Sequence, residues 1–165
     1  MRVAIIGSNQ GNEILNAFAY RAGRFLMDEG HTIINGGMGG IMEASAKGAH
    51  SSPSFEPHRL IAILPLENPS KGNAHSGVKI ATHLGKGRNY LIILNAEAVL
   101  AIGGGAGTLN EMATAWELNR PIAAFVGGGG WSEELAGKSI DSRRKDTIYP
   151  VHSIDDLRDW LLTHS

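Results

Sequence analysis

Ala98-Val99-Leu100-Ala101-Ile102-Gly103-Gly104-Gly105-Ala106-Gly107-Thr108-Leu109-Asn110-Glu111 is the stretch whose reading decides the fold of this chain. Five apolar residues, Ala98 to Ile102, are short enough for one buried strand. The strand empties into a glycine-rich turn, and a helical pattern opens at Thr108. A strand, a glycine turn and a helix N-terminus together form an anion site. The glycines let backbone approach a phosphate, and the first helical N–H groups point towards it with the positive end of the helix dipole.

The same pattern recurs on both sides of this stretch. Arg2 to Gly7 reads as a buried strand that runs into the turn-rich segment Gly7 to Asn12. From Glu13 to Glu29, Ile14, Leu15, Phe18, Ala22, Phe25 and Leu26 recur at helical spacing, with Gly30 in the C′ position. Thr32 to Asn35 is a second strand. It leads through Gly36-Gly37-Met38-Gly39-Gly40 into a helix over about residues 41–49. Arg59 to Leu64 is a third strand, stopped by Pro65, and a polar loop over residues 66–76 precedes a short strand at Val78 to Ala81. Residues 88–97 read as a helix whose centre, Tyr90 to Leu94, is apolar on more than one face. That predicts burial on two sides or contact with a second subunit. Pro121 to Val126 is a further strand, followed by the glycine run 127–130, which reads as a featureless turn or a flexible lid. A weak strand near Ile148 and a helix from Ser153, capped by Ser153 and Asp156, complete the chain.

Strands alternating with helices predict an α/β chain with a doubly wound parallel sheet of six or seven strands, a three-layer αβα sandwich. The 165 residues fit a single domain, 1–165. In such sheets the ligand sits beyond the carboxyl ends of the strands. The turns after Ile6, Asn35, Leu64, Ile102 and Val126 all fall at that edge.

Composition narrows the function classes. There are 22 glycines, about twice the usual share. A net charge of −1 offers no broad footprint for nucleic acid. No apolar run approaches a membrane span, and the first residues lack a signal-peptide layout, so a cytoplasmic protein is expected. The absence of cysteine removes disulfides, thiolate metal sites and a cysteine nucleophile. The seven histidines are scattered, with no helical His pair. No protein-ligated metal is expected, and any metal would arrive inside a ligand.

Two common phosphate fingerprints fail. The dinucleotide pattern G-x-G-x-x-G breaks at Met42 in one glycine run and at Thr108 in the other. For a P-loop, Gly137-Lys138-Ser139 lies too far from Gly130. What does match is Gly-Gly-x-Gly-Thr-x-x-Glu, from Gly104 to Glu111.

This motif resembles the signature of the Rossmann-like Lonely Guy superfamily, often misnamed lysine decarboxylases. Family members cleave the base from cytokinin nucleotides. The family's leading Pro is Gly103 here, and its Arg-Lys pair reads Arg88-Asn89. Gly36 to Met42 resembles its Gly-Gly-x-x-Gly-Leu-Met segment. The letters at Gly103 and Asn89 look closer to a sister branch, the molybdenum cofactor carrier proteins. Those are homo-oligomers that bind a pterin monophosphate without transforming it. The resemblance therefore implies a phosphorylated pterin or nucleotide-like ligand, with molybdenum cofactor (molybdopterin) as cargo and a homodimer or homotetramer as the assembly. The alternative it implies is a nucleoside monophosphate phosphoribohydrolase, with Arg88 and Glu111 as catalytic residues.

The candidate ligand-binding residues are Gly7, Ser8 and Asn9; Gly36, Gly37, Met38, Gly39 and Gly40; Arg88 and Asn89; and Gly103, Gly104, Gly105, Ala106, Gly107, Thr108 and Glu111. An Arg near a helix start opposes the helix dipole, which points Arg88 at a ligand rather than at local structure. Thr108 and Glu111 also read as a capping box, a structural role that competes with a binding one. Asn89 removes a fixed charge that a hydrolase would use to stabilise its transition state. His75 and His83 flank the polar loop and read as solvated.

Overall fold

A computed structural model describes residues 1–164. Seven strands form one sheet: β1 (Arg2–Gly7), β2 (Thr32–Asn35), β3 (Leu60–Leu64), β4 (Val78–Ala81), β5 (Ala98–Ile102), β6 (Ile122–Phe125) and β7 (Tyr149–Val151). Among the described residues, six helices connect and flank them: α1 (Glu13–Asp28), α2 (Ile41–His50), α3 (Arg88–Asn95), α4 (Ala106–Glu117), α5 (Gly130–Leu135) and α6 (Ile154–Leu162). Single 3-10 turns lie at Pro57–Arg59, Pro69–Lys71 and Gly85–Gly87.

The strand order is β4-β3-β2-β1-β5-β6-β7, and every pairing is parallel. The chain winds outwards from β1 to β4, then returns to the other side of β1 for β5 to β7. The order reverses between β1 and β5, where a crevice opens at the carboxyl end of the sheet. Their register pairs Gly7 with Ile102, so the loops after β1 and β5 leave the sheet at the same level.

Alternation along the central strands makes two cores. Val3, Ile5, Ile33, Leu100 and Ile102 face α1, α2 and α6. Ala4, Ile6, Ile34, Val99 and Ala101 face α3 and α4, against Ile92, Ile93, Met112 and Trp116. The three layers are those expected from the alternation of apolar segments. Two caps are also as expected: Ser153 and Asp156 close a reciprocal capping box on α6, and Gly30 has φ +82° after α1.

Two readings need correction. Thr108 does not cap α4; that helix starts at Ala106 with Gly105 as N-cap and no side-chain cap bond, so Thr108 already lies within the first turn. The glycine run turns tightly enough, with φ +63° at Gly103 and +95° at Gly104, to start the helix earlier than the polar pattern suggests. Segment 127–130 is not a featureless lid. Gly127 and Gly129 donate their N–H groups to the Glu133 carboxylate at 3.1 and 2.7 Å, and Asn12 donates to the Gly128 carbonyl at 3.1 Å. It leads into the short helix α5, for which the sequence shows too little periodicity. Of the two alternatives for the α3 centre, burial on both sides or contact with a second subunit, the chain itself covers one side only. Ile92 and Ile93 are buried, whereas Tyr90 and Leu94 are 50% and 43% exposed.

Candidate functional site

A cleft of about 410 Å³ occupies the β1/β5 switch point. Its floor is the carboxyl end of β1, through Ile5, Ile6 and Gly7, and its near rim is Ser8 and Asn9. From β2 and α2 come Gly36, Met38 and Met42. Arg88 and Asn89 reach in from α3, and Gly105, Gly107, Thr108 and Glu111 from α4 and the turn before it.

Arg88 is the buried cation of this cleft, with 8% of its surface exposed. Its Nη1 donates to the Ile63 carbonyl at the end of β3, at 3.0 Å. The guanidinium lies on Gly36, where any Cβ would come within 1.8 Å of Nη1. Gly36 is therefore a shelf for the arginine. Burial lowers the Arg88 pKa from its ordinary value, and the Glu111 charge opposes that shift. Its Nε is buried without a hydrogen-bond partner.

Glu111 faces the same cleft from α4 and is 7% exposed. Burial pushes its carboxyl up to about 7, with Arg88 pulling in the opposite direction. No ion pair joins the two among the described residues, so the attraction acts across a gap. The first intrahelical N–H bond near the start of α4 is Leu109 to Gly105 at 3.0 Å. The N–H groups of Ala106, Gly107 and Thr108 come before it and lack intrahelical acceptors. A Cβ on Gly105 would meet open space, so that glycine keeps the entrance to the helix N-terminus clear.

The remaining candidate residues do not line the cleft. Gly37 faces Leu64, Gly103 faces Leu15, and Gly104 lies against the Thr108 side chain, 2.4 Å from its Cβ to an added Cβ. Gly40 packs on the Ser8 and Asn9 backbone, and the Ile41 N–H donates to the Ser8 carbonyl at 3.0 Å. Gly39 and Ala106 also lie outside the cleft lining. The upstream glycine run thus shapes the site through close backbone packing, holding the β1 loop and seating Arg88. Asn35 fixes it by accepting from the Gly37 N–H at 2.9 Å. The Ser8 hydroxyl is engaged within its own turn, donating to the Gln10 carbonyl and accepting from the Gln10 N–H. His75 and His83 are absent from the lining.

Two elements of the cleft and its support escape a sequence reading. Lys86, on the 3-10 turn before Arg88, is exposed and lines the cleft, giving a second cation. Its flanking glycines, Gly85 and Gly87, are the one signal in the sequence that could have found it. Ser132, fully buried, accepts from the Gly103 N–H and donates to the Phe125 carbonyl, both at 2.7 Å. The Trp131 and Ser132 N–H groups donate to the Gly104 and Gly103 carbonyls at 3.0 and 3.1 Å. The start of α5 thereby clamps the turn that carries the motif, and nothing local in the sequence announces this contact.

The family model of the SLOG cluster4 family matches residues 1–157. The chain belongs to the SLOG cluster4 family. Its membership agrees with the superfamily resemblance carried by the glycine motifs. This SLOG cluster4 chain is 38% identical over 125 residues to an uncharacterized protein of Archaeoglobus fulgidus, covering 76% of the chain and 80% of that relative. Among solved structures, the structural-genomics target TM1055 superposes with a TM-score of 0.87 at 27% identity, over 98% of both chains. The molybdenum cofactor binding protein of the phototrophic bacterium Rippkaea orientalis superposes with a TM-score of 0.83 at 25% identity, over 98% of this chain and 95% of that one. No described helix of the SLOG cluster4 chain is long and apolar enough to cross a membrane.

Proposed function

We propose that this chain binds a phosphorylated pterin or nucleotide-like ligand in one domain, and that it carries or stores molybdenum cofactor. The carrying observation is the buried Arg88 guanidinium, seated on Gly36 and facing the same cleft as the α4 N-terminus. Burying a cation is costly unless a partner meets it, and the Ile63 carbonyl alone leaves Nε without one. A phosphate in the cleft offsets the charge of the guanidinium, and the α4 N–H groups suit its other oxygens. Ile6, Met38 and Met42 give an apolar wall for a flat heterocycle. The cleft's volume falls within the usual range for small-molecule sites, roughly 300–1,000 Å³. The structural likeness to a molybdenum cofactor binding protein supports that cargo.

A second reading rests on Glu111. A carboxyl near pH 7 in a cleft suits general acid–base work, which would favour a nucleoside monophosphate phosphoribohydrolase. One pair of measurements decides. Purified protein is incubated with purine and cytokinin nucleoside monophosphates and assayed for free base, and protein from molybdate-grown cells is assayed for molybdenum and phosphate. Equal amounts of bound molybdenum and phosphate with no released base are expected. Base release that disappears in Glu111→Ala would overturn the carrier reading.

A further inference from the structure

The cleft gathers positive features, the α4 N-terminus with Arg88 and Lys86, yet it also holds an acidic side chain. Glu111 is buried in the wall, and no group of the described residues hydrogen-bonds to its carboxyl. The charged groups that share the cleft with it are Arg88 from α3 and Lys86 from the preceding turn. The β1 and β2 loops contribute only uncharged groups, among them Ser8, Asn9, Gly36 and Met38. Arg88 is held by the Ile63 carbonyl and does not close an ion pair with Glu111. A carboxylate here would repel the anion that the rest of the cleft is built to attract.

We infer that Glu111 meets the ligand as a neutral carboxylic acid, donating its proton to an acceptor on the ligand's heterocycle, and that ligand binding takes up a proton. The inference rests on the phosphorylated-heterocycle reading above and narrows its ligand class. The ring must present a carbonyl oxygen or an unprotonated ring nitrogen towards α4, as a pterin or a guanine can. With Glu111 neutral, Arg88 and Lys86 match the two charges of a phosphate monoester, and the loaded cleft is close to electroneutral. The direction of the Glu111 shift agrees, since burial already favours the acid form and a bound anion favours it further.

The test is isothermal titration calorimetry with 6-hydroxymethylpterin monophosphate and with GMP, in buffers of differing ionisation heat. With GMP at about pH 8, where the guanine ring keeps its own proton, the wild type is expected to take up about one proton per ligand. Affinity for GMP is expected to fall about 50-fold between about pH 7 and pH 9, the slope of one group titrating near 7. In Glu111→Gln, which keeps the shape and cannot ionise, both the proton uptake and that fall should vanish. Binding by the wild type without proton uptake overturns this inference alone. If neither probe binds and inorganic phosphate does not bind either, the functional reading fails and this inference with it. Proton uptake is measured on the wild type, so the outcome does not depend on how well the variant folds.

Discussion

Gly36→Ala tests how the site is held together. The new Cβ would sit 1.8 Å from Arg88 Nη1, 2.5 Å from its Cζ and 2.6 Å from its Nη2, so its three nearest atoms all belong to that guanidinium. The guanidinium ends a flexible side chain, so it moves and the sheet does not. Movement breaks the bond to the Ile63 carbonyl. A hydrogen bond with a charged partner contributes about 1.5–3 kcal/mol net of its exchange with water, and the expected loss is of that size. For a chain of this size that corresponds to a fall in Tm of about 2–4 °C per kcal/mol. The effect on binding is larger in relative terms. Losing one charged contact to a phosphate, again about 1.5–3 kcal/mol, weakens affinity about 10- to 100-fold. The assay is a fluorescence titration with 6-hydroxymethylpterin monophosphate, run on Gly36→Ala, Arg88→Ala and the double variant, with urea unfolding in parallel. If Gly36 acts on binding as the seat of Arg88 rather than as cleft lining, the double variant should bind as weakly as Arg88→Ala alone. Wild-type affinity in Gly36→Ala, or losses that add in the double variant, would refute the shelf.

Ser132→Ala removes the hydroxyl that joins Gly103 to Phe125 and leaves a buried N–H and a buried carbonyl short of a partner. Its urea midpoint should fall by the equivalent of about 2–4 kcal/mol. The Glu111 carboxyl titrates near 4.5 when unfolded and about 7 when folded, so the native state holds the extra proton in between. Its contribution is full below 4.5 and is lost as pH rises through 7, a cost of up to about 3 kcal/mol that Glu111→Gln should abolish. Thermal unfolding from pH 4 to 9 measures the difference, and a parallel loss in both proteins would contradict the shift. Tyr90 and Leu94 leave an apolar strip of α3 open, and the expected assembly is a homodimer or homotetramer through it. Tyr90→Asp with Leu94→Asp should then sediment as a monomer, whereas an unchanged sedimentation coefficient removes α3 from the interface.

Much of the site is legible in the sequence. Strand-turn-helix units repeat along the chain, and a parallel sheet brings every such turn to one edge, so Gly7, Gly36, Arg88 and Glu111 had to converge there. Less legible is the job of each residue. Glycines in a run look alike in sequence, yet Gly105 faces open space, Gly104 lies under Thr108, and Gly36 supports an arginine from a distant helix.

By itself the sequence determined the alternation of strands and helices, the glycine turns and the family motif, because each depends on spacing within a few residues. The tertiary structure alone decided where α4 begins, that α5 clamps Gly103 through Ser132, and that Lys86 joins the cleft. It also decided the chemistry of the two charged residues. Arg88 and Glu111 are ordinary ionised groups in a sequence. Only when β3, α3 and α4 pack does burial raise one carboxyl to about 7 and hold one guanidinium against a backbone carbonyl. Desolvation depends on everything that surrounds a group, and most of those neighbours are distant in the chain.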